Sequence, residues 1–146
     1  VKTGDVIIAH TDITQDASII GNPVMVQCLS RYTETLITMD VVKVLPIYDW
    51  FSKEYLYFLC KDAHFKDHCL GYTNGSTVLH LSKKAIPAYK FALPPMMFIA
   101  AFSDIAKNIY SKLSQNLSSI QTLEALRDTL LPKLISGKVR VDYDKE

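Results

Sequence analysis

Regularly spaced apolar residues in the last third of the chain constrain the fold more than any other feature. Nine apolar residues follow one another at a mean spacing of 3.5 positions, with eight intervals over 28 positions. They are Phe102, Ile105, Ile109, Leu113, Leu117, Ile120, Leu123, Leu126 and Leu130. This period is typical of a left-handed coiled coil. Pro94 and Pro95 precede the run, and proline is tolerated in the first turn of the helix that follows. The sequence therefore predicts one long helix from about residue 96 to about residue 135.

Such a helix is too long to be covered by the rest of a small protein. At 1.5 Å per residue, residues 96–131 span about 54 Å. We therefore expect a partner helix, which could come from upstream chain, from a second copy or from another protein. Asn116 and Ser119 lie beside the apolar stripe, where polar residues can fix the register of a coiled coil, although a surface position explains them equally well.

The first 95 residues predict a small mixed module. Runs rich in β-branched residues at 6–9, 24–26 and 39–45 favour strands. Apolar spacing of three to four favours one amphipathic helix from Asp49 or Ser52 to Leu70. A tight turn at Asn74-Gly75 then leads to two closing strands, 78–81 and 86–93. The predicted fold class is thus α+β: a mixed α/β module over 1–95, followed by a long C-terminal coiled-coil helix and tail over 96–146.

Composition narrows the class of protein without giving its function. The 146 residues carry 16 Lys and Arg against 15 Asp and Glu, a net charge of +1, so no strong positive charge points to nucleic acid. The longest apolar run, 96–102, is shorter than the roughly 18 residues that a membrane span requires. Three cysteines without a signal-peptide pattern favour reduced thiols and a cytoplasmic location. The chain begins with Val1, not Met, shortly before the apolar run 6–9, and this run would make a buried strand that needs neighbours, so we expect the chain to be cut from something longer.

No motif predicts catalysis. Cys60, His64 and His68 have i, i+4, i+8 spacing with Cys69 adjacent, but the outer pair would lie about 12 Å apart along one helix, too far to share a zinc ion. Buried cysteines with exposed histidines are therefore favoured, and no metal or other cofactor is assigned. Known nucleophile, phosphate-loop and metalloprotease motifs are absent from the sequence. An acid/base pair of Asp12 and Asp16 is disfavoured, since aspartates in polar loops usually form turns.

Polar side chains that can contact DNA concentrate in three predicted loops. Arginine pairs bidentately with guanine, asparagine and glutamine pair with adenine, and lysines contact phosphates. Polar residues are also expected in loops simply because loops are solvated. The candidates are His10, Thr11, Asp12, Thr14 and Gln15, then Arg31, Tyr32 and Thr33, which follow Ser30, then Tyr72, Thr73, Asn74, Ser76 and Thr77, with Lys83 and Lys84 as phosphate contacts.

The C-terminal run LEALRDTLLPKLISGKVRV, residues 123–141, closely resembles the C-terminal conserved region of specificity subunits of Type I restriction-modification enzymes. The resemblance extends upstream through residues 115–120. The first part is similar to the distal portion of a target recognition domain in that family. The matching segments are the strand at 4–8, Ile20-Gly21-Asn22-Pro23, residues 71–76 and residues 81–86 leading into Leu93-Pro94.

This resemblance implies a non-catalytic protein that recognises one half of a bipartite DNA sequence. It implies that the long helix pairs with a second conserved helix as an antiparallel coiled coil, spaces two recognition domains and docks methyltransferase subunits. The nuclease-translocase subunit would join the larger assembly. Adenine methylation and its S-adenosylmethionine cofactor would belong to the methyltransferase partner.

The chain departs from the family pattern in two respects. It has one conserved region instead of two, and it lacks the strands that normally precede the Gly4-Asp5 segment. The expected substitute partner is a second copy, giving a homodimer, unless the chain is a piece of a full-length subunit. The alternative function is a coiled-coil assembly module that does not bind DNA.

Overall fold

The computed structural model describes residues 1–14, 16–27 and 34–140 and has two small antiparallel sheets with four helices in those ranges. This confirms the predicted α+β class and the long C-terminal helix. In chain order the elements are β1 (Val6–Ala9), β2 (Thr11–Asp12), β3 (Pro23–Met25), β4 (Val41–Val44), α1 (Lys53–Lys61), α2 (Ala63–Leu70), β5 (Thr73–Asn74), β6 (Leu79–Leu81), α3 (Ala85–Ala88) and α4 (Met96–Ile135).

The two sheets are joined by one nearly continuous stretch of extended chain. The first has the order β3-β1-β4 and the second β2-β6-β5, and β1 passes into β2 through His10. Along β1, Val6 and Ile8 are fully buried while Ile7 and Ala9 are half-buried, which is the alternation expected of a strand with one face on a core. The three strands predicted at 6–9, 24–26 and 39–45 are therefore confirmed.

A compact apolar core lies between β1, the helices α1 and α2, and β6. Its buried members are Ile8, Ile20, Cys60, Phe65, Cys69, Leu81 and Ala85. Cys60 and Cys69 are free thiols, and burial raises the pKa of Cys60 to about 12 and that of Cys69 to about 11. Both therefore stay protonated at neutral pH and act as small apolar core residues. Cys28 lies outside the described residues.

A buried carboxylate ties the first sheet to α1. Asp5 is only 2% exposed, and its oxygens lie 2.6 Å from the Lys43 ammonium and 2.7 Å from that of Lys53. The backbone N–H of Lys2 donates a third hydrogen bond at 2.8 Å. Burial alone pushes the pKa of Asp5 upward, but the hydrogen bonds from Lys43, Lys53 and Lys2 outweigh it and hold the pKa well below its ordinary value.

The single helix predicted up to Leu70 is wrong, because the structure has two helices there. Asp62 adopts an extended conformation, with φ −65° and ψ 144°, between α1 and α2. Its side chain accepts a hydrogen bond from the backbone N–H of His64 and so caps α2, as Ser52 caps α1 through the N–H of Tyr55. Aspartate favours this N-cap geometry over a helix interior, so it divides the apolar pattern.

The closing strand predicted at 86–93 is also wrong. Residues 85–88 form the short helix α3, and the chain from there to Pro95 has no regular structure. Pro87 lacks the N–H that a strand ladder needs, whereas the first turn of a helix tolerates it. The other predicted closing strand is confirmed as β6.

Helix α4 packs on α1 through its first four turns. Ile99, Ser103 and Ala106 are buried, and Ser52 donates a hydrogen bond of 2.8 Å to the Ser103 hydroxyl oxygen. Tyr110 lies edge-on to Tyr57, with ring centroids 5.8 Å apart. Within the described ranges, no helix has the length and apolar character of a membrane span.

Candidate nucleic-acid interface

The second sheet brings two of the three predicted loops together. Thr11 of β2 and Asn74 of β5 both pair with His80, which lies in the middle of the central strand β6. Paired residues in neighbouring strands project from the same face of a sheet. Thr11, His80 and Asn74 therefore form one row across three strands, called the outer row below; His80 and Asn74 are exposed and Thr11 is half-buried.

The opposite face of this sheet is turned towards the core. Asp12 pairs with Leu79 and Thr73 with Leu81, and both Asp12 and Leu81 are buried. The Thr73 hydroxyl donates a hydrogen bond of 2.9 Å to the backbone carbonyl of Cys69. Asp12 and Thr73, both predicted as DNA contacts, thus lie on the inner side of the surface that carries Thr11 and Asn74.

The Asp12 carboxylate organises the loop that follows β2. One oxygen accepts hydrogen bonds from the Thr14 backbone N–H (2.8 Å) and hydroxyl (2.5 Å), and the other from the N–H groups of Ile19 (2.6 Å) and Ile20 (2.9 Å). These bonds, that of the Thr14 hydroxyl first, hold the pKa of Asp12 well below its ordinary value. Gln15 lies outside the described residues.

Lys66 of α2 holds the same loop from beneath. Its ammonium donates a 2.7 Å hydrogen bond to the Ala17 carbonyl and a further one to the Ile20 carbonyl. Burial lowers the pKa of Lys66, while Asp12 opposes that change. Asp12 and Lys66 thus bind the loop backbone at described residues on both sides of position 15.

Basic side chains flank the outer row. His10 precedes β2, and its carbonyl accepts a hydrogen bond from the N–H of Leu81, so Lys83 and Lys84 follow close behind on the exposed surface. His10 and Lys83 share a cleft of about 490 Å³ with Lys43 and the apolar side chains of β4. Burial, followed by the charges of Lys83 and His80, lowers the pKa of His10 and favours its neutral form at neutral pH.

The remaining described candidates lie around the β5–β6 hairpin. Tyr72 packs against His68 with ring centroids 4.8 Å apart, and Ser76 and Thr77 are exposed in the connecting loop. Gly75 has a φ of +126°, and a Cβ there would lie 2.0 Å from the Val78 carbonyl oxygen, so the loop requires glycine. Arg31, Tyr32 and Thr33 lie outside the described residues.

His80 was not among the residues selected from the sequence. The alternation Val78-Leu79-His80-Leu81 contained the signal, because a polar residue between apolar neighbours in a strand faces the other side. His68, expected to be exposed, is instead half-buried, with its Nε2 2.8 Å from the Ala85 carbonyl oxygen. His64 is exposed as expected. The helix break at Asp62 places Cys60 on α1 and His64 on α2, so the i, i+4, i+8 spacing does not lie along one continuous helix.

The structure thus defines a small α+β module with an exposed polar sheet face and a long helix that extends beyond it. Part of this chain is similar in sequence to a known protein. Over 68 residues it is 31% identical to the Type I restriction enzyme MjaIX specificity subunit of Methanocaldococcus jannaschii. The match covers 47% of this chain and 16% of the relative. No protein-family model matches the chain. This similarity supports the family resemblance of the sequence over part of its length.

Proposed function

We propose that this chain recognises one half of a bipartite DNA sequence as a specificity component of a Type I restriction-modification system. The observation that carries the proposal is the outer row, where predicted contacts from two separate loops meet on one exposed face. The similarity to a protein named as a specificity subunit supports the same role. In this role the chain is non-catalytic and acts in the cytoplasm, and adenine methylation belongs to a partner.

The two parts of the chain have separate tasks in this proposal. Residues 1–95 form the partial target recognition domain, and residues 96–146 provide the spacer, the dimerisation surface and the docking site for methyltransferase subunits. The nuclease-translocase subunit joins the larger assembly. Exposed apolar side chains along α4, such as Ile109, Leu123 and Leu126, support a helix that pairs with a second copy or with a second conserved helix.

The contacts divide by the position of each side chain. Half-buried Thr11, exposed Asn74 and the remaining candidates on the outer side contact bases or sugars, together with Gln15, Arg31, Tyr32 and Thr33. Lys83 and Lys84 contact phosphates. Asp12 and Thr73, which face the core side, position the surrounding loops instead of touching DNA.

The decisive test selects bound duplexes from a randomised pool, with and without a co-expressed methyltransferase subunit, at low and moderate salt. An enriched half-site in either arm supports recognition, and binding should weaken steeply with salt.

Arg31→Ala should cost about 1–3 kcal/mol at one base position, whereas Lys84→Ala should weaken binding to all sequences about equally. Equal loss on every sequence for Arg31→Ala would contradict its base-reading role.

The second candidate function is an assembly module that does not bind DNA. It is favoured by the number of exposed leucines on α4, among them Leu123, Leu126 and Leu130. Leu117→Asp should disrupt assembly under both proposals. A bound methyltransferase subunit with no enriched DNA in either arm supports this second candidate and contradicts the first.

A further inference from the structure

We infer that Asn74 and His80 form one base-reading pair that contacts neighbouring base pairs in the major groove of DNA. This inference rests on the proposed DNA-recognition function and adds to it a specific pair of residues and the way in which the pair reads DNA. His80 is the new member of the site.

The register of the β5–β6 hairpin places the two residues together. Asn74 and His80 are direct cross-strand partners on the outer face, and both side chains are exposed. Among the described residues, no hydrogen bond engages the Asn74 amide or the His80 imidazole. The third member of the outer row differs, because the Thr11 hydroxyl already donates a 2.9 Å hydrogen bond to Asp40. Asn74 and His80 therefore offer the most accessible donors and acceptors in the row.

The β5–β6 hairpin forms one edge of the three-stranded sheet β2-β6-β5, in which the outer strands β2 and β5 are each only two residues long. The major groove is about 12 Å wide and admits a two-stranded ribbon, so the hairpin edge of this narrow sheet can enter it. Direct cross-strand partners have Cβ atoms about 5 Å apart and base pairs stack about 3.4 Å apart, so with the Asn74–His80 direction along the groove the two side chains face adjacent base pairs. Lys83 and Lys84 follow β6 immediately and are exposed, where they can reach the phosphates that border the groove.

The chemistry of the two side chains predicts what they read. An asparagine amide pairs bidentately with N6 and N7 of adenine. An imidazole N–H donates to an acceptor such as purine N7 or guanine O6. We therefore expect an adenine at one position and a purine at its neighbour.

The hairpin is held firmly enough to present such a pair. Leu81 is buried in the core on the inner face, and the Thr73 hydroxyl is bonded to the end of α2. The turn is fixed by Gly75, where a side chain would collide with the Val78 carbonyl. Preorganisation of this kind lowers the entropic cost of ordering a contact surface on binding.

The test repeats the selection with the full chain, adding the methyltransferase subunit if wild type requires it, for Asn74→Ala and His80→Ala. Each variant should lose selectivity at one position by about 5- to 150-fold, and the two positions should be adjacent. His80→Val, which keeps a strand-favouring residue but has no hydrogen-bonding side chain, should give the same loss as His80→Ala. His64→Ala, at an exposed histidine on α2, is the matched control and should leave selectivity unchanged.

The outcomes separate this inference from the function on which it rests. If wild type selects a half-site and the His80 variants select the same one with equal affinity, His80 does not read a base. The inferred pair is then contradicted, while the proposed DNA-recognition function is still supported. Losses at two positions that are not neighbours also overturn the pair. If wild type selects no sequence in either arm, the proposed function fails and the inference fails with it.

Discussion

The two halves of α4 have the same apolar period but opposite environments. In the first half, Ile99 and Ala106 are buried against the module and Tyr110 packs on Tyr57. In the second half, Leu123 is 64% exposed and Leu126 is 50% exposed. The buried residues of the first half do not belong to the predicted stripe, which runs along an adjacent face. Apolar spacing thus predicts that a helix forms, while its neighbours decide which face is covered.

The sharpest test of this contrast removes one apolar side chain from each half. Ile99→Ala should lower the free energy of unfolding by about 2–5 kcal/mol, because Ile99 is fully buried and its loss leaves a cavity. Leu126→Ala should cost about 0.5 kcal/mol or less in the monomer, since its side chain is half exposed. Denaturant unfolding at a concentration where the chain is monomeric measures both. Equal losses would show that the second half is covered within the chain.

The next test concerns Asp5, the buried carboxylate that ties the first sheet to α1, on which the first half of α4 packs. Asp5→Asn removes the buried carboxylate that pairs with Lys43 and Lys53 and should cost about 1–3 kcal/mol at neutral pH, because both ammonium groups stay partly exposed to water. Because the pKa of Asp5 is depressed in the folded state, its contribution is present above the unfolded pKa, near 4, and is lost as pH falls below it. The stability difference between wild type and variant should therefore shrink in acid.

Denaturant unfolding at neutral pH and near pH 2 checks this expectation. Asp128→Asn is the matched control in the exposed half of α4, where Asp128 pairs with Arg127 and both side chains are mostly exposed. A solvent-exposed pair of this kind contributes about 0–1 kcal/mol. A difference between wild type and Asp5→Asn that stays constant with pH would contradict the role of the buried carboxylate.

The sequence predicts local elements of this fold better than their contacts. Pro94 and Pro95 correctly placed the start of α4, and Ser52 correctly marked one possible start of α1. Asp62 and Pro87 were local signals for the helix break and for α3, but the apolar runs around them outweighed both. The helix break and the absence of a strand at 86–93 could both have been predicted from the sequence, since aspartate caps helices and proline interrupts strand ladders.

The candidate site shows the other limit. Thr11 and Asn74 were selected as DNA contacts from separate loops, but their meeting depends on His80 pairing with both. The Thr11–His80 pairing joins segments far apart along the chain, and no local pattern encodes it, whereas Asn74 and His80 belong to one local hairpin with a predicted turn. The alternation at 78–81 indicates that His80 faces away from the core, but its position between Thr11 and Asn74 follows only from the pairing of both neighbouring strands with β6.

The last test perturbs the exposed half without touching the module. Leu123→Asp should change the monomer's stability little, about 0.5 kcal/mol, because the side chain is exposed and aspartate differs mainly in helix propensity. It should nevertheless abolish pairing through α4, since a buried unpaired charge at a coiled-coil seam is strongly unfavourable. Light scattering across concentrations, alone and with the methyltransferase subunit, measures association. Ser118→Asp, an exposed position five residues earlier and so on a different face, should leave association intact. If both variants associate as wild type does, the stripe is not the pairing surface, and the exposure of the second half needs another explanation.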